Sequence, residues 1–219
     1  VRAAMRDLAA SIDGPDVTVT ATGMPVVRAN VQDELLETVV TTLVLTLLAV
    51  LLLLMAVYRL AYGSATLGLV TLAPVGLTVA WVVGAMSVLG LPLSVMTALV
   101  ASLTVGIGVD YCIHVSERYV QEREAGKAVG VSLTETIAGT GAALVGSAIT
   151  TASGFGVLGL AVLPSLQQFG VITALTIGFA FLAAVFVLPS LLVLWSRLVA
   201  APAGTDLSVD SRTTPVPDD

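Results

Sequence analysis

The sequence predicts an all-α membrane bundle of five transmembrane helices. Of its 219 residues, 57% are hydrophobic and only 11% are charged, whereas soluble domains average about 25% charged residues. The apolar residues are gathered into five runs, each close to the roughly 20 residues that a helix needs to cross a bilayer. Polar sequence precedes the first run and follows the last. These features indicate an integral membrane protein whose environment is a lipid bilayer.

The five spans form a predicted transmembrane domain over residues 35–199. Their approximate bounds are residues 35–58, 64–89, 93–115, 137–162 and 169–195. Residues 116–135 are too polar to cross the bilayer, and we predict one or two short amphipathic helices there at the cytoplasmic surface. A solvated loop is the alternative for this segment.

The two ends of the chain differ in composition from the spans. Residues 1–34 contain a helix-like segment, a turn, and the strand-like alternation Val17–Thr22. Because 34 residues cannot bury a core alone, we interpret them as the end of a larger extracytoplasmic α/β domain, with more sequence expected before Val1. The tail 200–219, with its prolines, glycines and aspartates, is predicted to be disordered.

Basic residues predict the orientation, because lysine and arginine are enriched in cytoplasmic loops. They follow the first, third and fifth spans, as Arg59, then Arg118, Arg123 and Lys127, then Arg197. We therefore expect a multi-pass protein of the cell membrane with an extracytoplasmic amino terminus and a cytoplasmic carboxyl terminus.

Asp110 is the candidate functional residue, because it is the one carboxylate well inside a predicted span. A charged aspartate at the centre of a membrane helix costs about 2.5–3.5 kcal/mol on insertion scales. It therefore tends to take up a proton or to find a partner, and an ionisable residue at this depth indicates a functional site. We interpret the chain as part of an ion-coupled transporter in which Asp110 carries the coupling ion. A structural, hydrogen-bonded carboxyl is the alternative.

Two neighbours of Asp110 complete the predicted proton-coupling set. Tyr111 offers a phenolic hydroxyl, but it points about 100° away around the helix, so each of the two residues needs partners on other helices. His114 lies one turn further on the same face and is a candidate for passing protons to the cytosol. A histidine at the helix end in contact with water is its plain alternative.

Hydroxyl and small residues around this segment suggest a path and close helix packing. The candidate path-lining residues are Ser102, Thr104, Thr150, Thr151 and Ser153, although such hydroxyls also bond back to their own helix. The candidate packing residues are Gly106, Gly108, Gly146 and Gly154, because small residues let membrane helices approach closely.

Other function classes find no support in the sequence. Cys112 is the single cysteine, which excludes an internal disulfide and a cysteine-based metal cluster. There is no Ser-His-Asp set, no phosphate-binding loop with lysine and no basic patch for nucleic acid. We therefore expect no enzyme activity, no metal and no cofactor.

Several motifs together resemble the RND superfamily, in its MMPL and hydrophobe-exporter branch. The segment Gly106–Tyr119 resembles the glycine-rich span that bears an Asp-Tyr pair, and Thr150–Leu158 resembles the block that follows. Residues 168–171 and 188–192 resemble the opening and closing of the last span, and residues 22–25 the end of the porter domain. The resemblance covers residues 17–194 in the expected order.

The resemblance implies a transporter of two similar halves, each with one span, a large extracytoplasmic domain and five further spans. This chain is similar to the carboxyl-terminal half, with residues 1–34 as the end of its porter-like domain. Asp110 and Tyr111 match the Asp-Tyr pair, which faces its counterpart in the other half and uses the proton-motive force. The implied partners are that other half and a lipid or other hydrophobic substrate, and a homo-oligomer is left open. A sterol-sensing-like lipid-binding regulatory module has the same five-span layout and is the alternative.

Overall fold

The computed structural model describes residues 24–91 and 95–198, together with residues 4, 7, 8 and 11. All elements in this part of the chain are helical. The strand-like segment at 17–22 and the tail predicted to be disordered lie outside the described residues. The prediction of an α-helical membrane bundle is therefore confirmed for the part that the structure describes.

The long helices follow one another with short connections. They are α1 (Met24–Tyr62), α2 (Thr66–Val88), α3 (Val95–Glu124), α4 (Val129–Gly156), α5 (Pro164–Leu182) and α6 (Leu188–Leu198). A 3₁₀ turn at Val157–Leu160 follows α4, and a π-helical segment at Ala183–Val187 joins α5 to α6 without a break. Within the described ranges, five helical stretches are long and apolar enough to cross a membrane, the fifth running from Pro164 to Leu198.

Local sequence explains the helix ends and the π segment. Gly63, after α1, and Gly126, after α3, have φ angles of 71° and 80°, a conformation that glycine adopts without steric cost. Pro189 has no N–H to donate to the carbonyl of Val185, and the wider π turn just before it accommodates this missing bond.

The segment 116–135 differs from the prediction. It is not a separate surface helix, because α3 continues to Glu124 and α4 already begins at Val129. The physical reason is that the polar stretch has one buried side. Ser116 and Tyr119 are fully buried against the bundle, so extending α3 buries more surface than a break after residue 115 would.

Helix α3 lies at the centre of the bundle and packs against all the other helices. Its buried side joins residues of α1, α2, α4, α5 and α6 in one hydrophobic core. Helix α1, by contrast, exposes most of its apolar side chains. A functional site on α3 is therefore expected on the side that faces away from this core.

Two glycines allow the closest helix approaches. A Cβ atom on Gly68 of α2 would lie 2.7 Å from the backbone nitrogen of Met55 on α1. A Cβ atom on Gly170 of α5 would lie 2.6 Å from the carbonyl oxygen of Phe155 on α4. Both contacts are too short for any side chain, so glycine is required at these two positions.

The basic residues that follow the first, third and fifth spans lie at one end of the bundle. Trp195 Nε1, near the end of α6, donates a hydrogen bond of 2.9 Å to Thr66 Oγ1 at the start of α2. The hydroxyl groups of Thr71 on α2 and Ser116 on α3 form a hydrogen bond of 2.8 Å close to this end. The ends of α1, α3 and α6 that carry the positive charges therefore lie together.

Candidate ion-coupling surface

One side of α3 presents exposed residues at intervals of four, which we call the α3 stripe. Its members are Ser102, Gly106, Asp110, His114 and Arg118. Residues four apart lie above one another on a helix face, so the stripe runs continuously along the membrane-spanning part of α3. Asp110 lies near the middle of helix α3 and inside its apolar part, six positions before the polar stretch that begins at Ser116.

Asp110 and His114 form the ionisable centre of the α3 stripe. Their side chains are 67% and 57% exposed, and His114 Nε2 lies 3.6 Å from Asp110 Oδ1. This separation is longer than a hydrogen bond, but it lets the carboxylate attract a protonated imidazole. The predicted pairing of these two residues on one helix face is therefore present in the fold.

Tyr111 occupies a different environment from Asp110. Its side chain is only 3% exposed and belongs to the hydrophobic core. The structure thus separates the two members of the Asp-Tyr pair, as the angle of about 100° between successive residues requires. Within the described chain, Asp110 faces outward and Tyr111 faces the bundle.

A second exposed surface lies on α4 and consists of small side chains, and we call it the α4 small face. Its members are Gly139, Ala143, Gly146, Thr150 and Ser153. The two surfaces adjoin, because a Cβ atom on Gly139 would lie only 3.7 Å from Arg118 Nε. Together they make one outward-facing region that carries an acid, a histidine and an arginine on α3 and mainly small side chains on α4.

The predicted path-lining residues divide between this region and the core. Ser102 and Ser153 are exposed, and Thr151 is half-buried. Thr150 is exposed, and its hydroxyl donates to the carbonyl oxygen of Gly146 at 2.7 Å. The surface thus brings Ser102 into line with Asp110 and places Thr150 and Ser153 on the neighbouring helix.

Thr104 is not part of this surface. It is 1% exposed, and its hydroxyl donates to the carbonyl oxygen of Val100 at 2.7 Å. Thr104 lies six positions before Asp110. At about 100° per residue, this spacing turns its side chain about 240° around the helix from that of Asp110. The spacing alone could have shown that Thr104 and Asp110 do not share a face.

The four predicted packing glycines also divide. Gly108 is buried, and a Cβ atom there would lie 3.4 Å from Val75 of α2. Gly106, Gly146 and Gly154 are exposed, and a Cβ atom on any of them would meet nothing within 4 Å. Only Gly108 therefore serves helix contact inside the described chain, and the other three remain predictions for a contact outside it.

An ion network links the end of α3 to the start of α4. It was not predicted from the sequence. Glu122, whose side chain is 6% exposed, lies 2.5 Å from Arg118 Nη2 and 2.5 Å from Lys127 Nζ. Lys127 also pairs with Glu135. Hydrogen bonds to Glu122 and Glu135 raise the pKa of Lys127 above its ordinary value. The four-residue spacing of Arg118 and Glu122 was the signal available in the sequence.

Comparison with known proteins gives the family. Residues 1–210 match the sequence profile of the MMPL family. The chain belongs to the MMPL family. A protein of Methanocaldococcus jannaschii described as a membrane protein is 34% identical over 183 residues, which are 84% of this chain and 46% of the relative. This MMPL chain thus spans about half the length of the curated relative that it matches, and it is a multi-pass membrane protein.

Proposed function

We propose that this chain is one half of a proton-driven exporter of lipids or other hydrophobic molecules, with Asp110 as the residue that carries the proton. The observation that carries the proposal is the exposure of Asp110 beside His114, inside the apolar part of a membrane-spanning helix. Membership of the MMPL family supports the transport role. We infer transport rather than catalysis as the role of the Asp110 region.

The surface around Asp110 is unsuited to contact with lipid. A carboxylate facing acyl chains costs about 2.5–3.5 kcal/mol, and most exposed residues on the adjoining face of α4 are glycine, alanine, serine and threonine, although Val145 and Ile149 are exposed there as well. Helix α1 shows what the lipid-facing surface of this protein is like, because its exposed residues are large and apolar. Examples are Leu45, Leu48, Leu52, Leu53 and Leu60.

The occupant we propose for this surface is the other half of the same transporter. Small residues and interhelical polar contacts favour helix association in membranes, and the matched relative has more than half its length beyond the aligned region. Helices of that half would pack against the α3 stripe and the α4 small face. Asp110 then lies at the contact between the halves, where protein and water replace lipid.

A proton on Asp110 would change the contact between the halves. The neutral acid can be enclosed between closely packed helices, whereas the anion needs water or a cation, and His114 Nε2 lies 3.6 Å from its carboxylate. Two protonation states therefore favour two packings, and a transmembrane proton gradient can drive the bundle between them. We assign the cytoplasmic end of this route to the end of the bundle near Arg118, two turns from Asp110, because basic residues are enriched on the cytoplasmic side.

The decisive experiment replaces Asp110 with asparagine in the complete protein. We expect Asp110→Asn to abolish gradient-driven export in proteoliposomes, because the amide cannot exchange a proton, while the variant inserts and folds. The matched control is Glu117→Gln, which removes a half-buried carboxyl from the same helix on a different face. Export at a near-normal rate by Asp110→Asn would remove this residue from the mechanism.

One feature favours a second candidate, a lipid-binding regulatory module without transport. A largely apolar groove of about 370 Å³ lies between α1, α2 and α3. Its wall includes Val40 and Leu43 of α1, Val83 and Met86 of α2, and Ala101 of α3. This groove is large enough to hold part of an acyl chain or a sterol.

A photoreactive lipid tests the regulatory candidate. Labelling of the groove should be blocked by Ala101→Phe, which fills the space, and should persist in Asp110→Asn. Labelling with this pattern, together with no export by the wild-type protein, would favour regulation over transport. Export that depends on Asp110 would decide for the transporter.

A further inference from the structure

Arg118 is shared by the α3 stripe and the ion network between α3 and α4. It lies about one turn after His114 and two turns after Asp110 on α3. Its guanidinium, however, points the other way, because Nη2 lies 2.5 Å from Glu122 Oε1, one turn further along the helix. The side chain of Arg118 is 44% exposed and that of Glu122 only 6%. The guanidinium is therefore held by an enclosed carboxylate.

The direction of the Arg118 side chain is not the one that the helix itself favours. In an α-helix each Cα–Cβ bond tilts towards the amino terminus, so a long side chain at position 118 would by default lie over His114. An acid four positions after a base is also the weaker order for a helical ion pair. Contacts from outside α3 are therefore needed to keep the guanidinium beside Glu122.

Two contacts from beyond α3 supply this restraint. Lys127 Nζ lies 2.5 Å from Glu122 Oε2 and also pairs with Glu135 of α4. This second cation fixes the carboxylate to which Arg118 binds. Gly139 of α4 leaves room for the guanidinium, since a Cβ atom there would lie 3.7 Å from Arg118 Nε and 3.9 Å from Nη2. A larger side chain at position 139 would compete with the guanidinium for this space.

Few other titratable or charged side chains belong to the elements packed around this part of α3. Within their described ranges, α2 and α5 have none, and α4 has Glu135 alone. Arg118 is the cation nearest to Asp110 along α3, about 12 Å away along the helix axis at 1.5 Å per residue. The remaining such groups at this end, outside the network, include Tyr58, Arg59 and Tyr62 of α1, Glu117 of α3 and Arg197 of α6.

We propose that Glu122 is a positioning residue for the proton step, because it holds and neutralises Arg118 and so keeps a free positive charge away from Asp110 and His114. The proposal rests on the proposed function, in which Asp110 carries the proton. Release from Glu122 would let the guanidinium take the direction that the helix favours. A free cation there would attract the carboxylate anion and oppose the binding of a proton.

The pH profile of export by the complete protein in proteoliposomes tests this role. The pH of the compartment that supplies protons is varied, and the pH of half-maximal rate is compared between variants. We expect Glu122→Gln to move this midpoint to lower pH by about 0.5–1 unit, the effect of one unit charge at roughly 8–12 Å in a partly hydrated setting. Glu122 itself lies about 18 Å from Asp110 along the axis, beyond the screening length of about 8 Å, so the shift would come from Arg118.

Three further variants isolate the released charge. Glu135→Gln removes a carboxylate from the same network but keeps the contact between Arg118 and Glu122, so it should leave the midpoint unchanged. The double variant Arg118→Gln/Glu122→Gln also removes the cation and should restore the wild-type midpoint. Gly139→Leu displaces the guanidinium with every network charge in place, and it should lower the midpoint as Glu122→Gln does.

The role of Glu122 and the proposed function fail in different ways. An unchanged midpoint in Glu122→Gln, an equal shift in Glu135→Gln, or a shift that persists in the double variant would overturn the role of Glu122 alone. Gly139→Leu decides the question in the same terms if Glu122→Gln does not fold. Export that Asp110→Asn leaves intact would instead overturn the proposed function and this role with it.

Discussion

At the scale of single residues, two kinds of glycine can be told apart by what surrounds them. Gly68 and Gly170 lie against the backbone of a neighbouring helix, whereas Gly106 and Gly146 have open space at the position of a Cβ atom. The sequence could suggest close packing from glycine spacing, but not which glycines meet a helix of the same chain. Neighbour identity depends on how the helices are arranged, and composition does not carry that information.

Substitution of Gly68 by alanine tests this distinction. The new Cβ atom would lie 2.7 Å from the backbone nitrogen of Met55, so α1 and α2 would have to separate. We expect Gly68→Ala to destabilise the protein by about 1–3 kcal/mol. Gly76→Ala, on the same helix with nothing within 4 Å, should be neutral or stabilising by about 0.5–1 kcal/mol. Thermal unfolding in detergent measures both, and equal effects would contradict the close approach of α1 and α2.

At this scale the sequence predicted the relative placement of Asp110 and His114, while their role in proton coupling stays a prediction. Asp110 and His114 lie on one face because of their spacing by four, a property of any α-helix. The separate environment of Tyr111 follows from the same geometry. The spacing of Thr104 from Asp110 could equally have predicted that the two lie on different faces of the helix. The prediction instead grouped Thr104 with Asp110 because of its residue type.

At the scale of elements, the connection between α3 and α4 is the main difference from the prediction. High polarity over 116–135 suggested surface helices, yet four of its seven charged residues (Arg118, Glu122, Lys127 and Glu135) are paired with one another, and one side of the stretch packs on the core. Sequence polarity cannot show that Glu122 is enclosed between Arg118 and Lys127, because Lys127 reaches it only after the chain has turned at Gly126.

Substitution of Glu122 tests the role of this ion network. Glu122→Gln should lower the Tm clearly more than Glu124→Gln, because Glu124 is exposed and Glu122 is enclosed between two cations. The comparison is a thermal-unfolding measurement on both variants at neutral pH. Similar Tm values for the two would show that the network does not hold the connection.

The pH dependence of the network follows from Lys127. Its pKa is raised in the folded protein by Glu122 and Glu135, so its stabilising contribution is complete below the ordinary lysine pKa of about 10.4 and is lost as the pH rises through the raised value. We expect Lys127→Met to be less stable than the wild type at neutral pH. The difference between their unfolding temperatures should narrow in strongly alkaline solution, where Lys127 loses its proton, and in acid, where its carboxylate partners become neutral. Narrowing near neutrality would contradict the assignment.

At the scale of the whole molecule, the bundle has two unlike outer surfaces. Helix α1 is covered by leucine and valine, whereas the α3 stripe and the α4 small face carry little apolar bulk. The count of five membrane helices could be predicted from the sequence, because hydropathy and length determine it. The division of the exterior into two kinds of surface required the arrangement of the helices.

Spin labels can tell the two surfaces apart in the complete protein. In a cysteine-free background, which requires replacing the buried Cys112, we would label Gly146→Cys and Leu52→Cys. Because oxygen concentrates in the lipid, a label at Leu52 should show high oxygen accessibility by electron paramagnetic resonance. A label at Gly146 should show several-fold lower accessibility if the other half covers it. Equally high values at both sites would place the α4 small face against lipid.

The length of α1 has a mechanical consequence. The helix has 39 residues and is therefore about 58 Å long at 1.5 Å per residue, while the apolar run predicted to cross the membrane begins only at about residue 35. About 16 Å of helix therefore continues beyond that point. A tilt of about 10° around the Gly63 end would swing the far tip by roughly 10 Å, given that length. Small adjustments within the bilayer are in this way converted into a large displacement of whatever is attached before Met24.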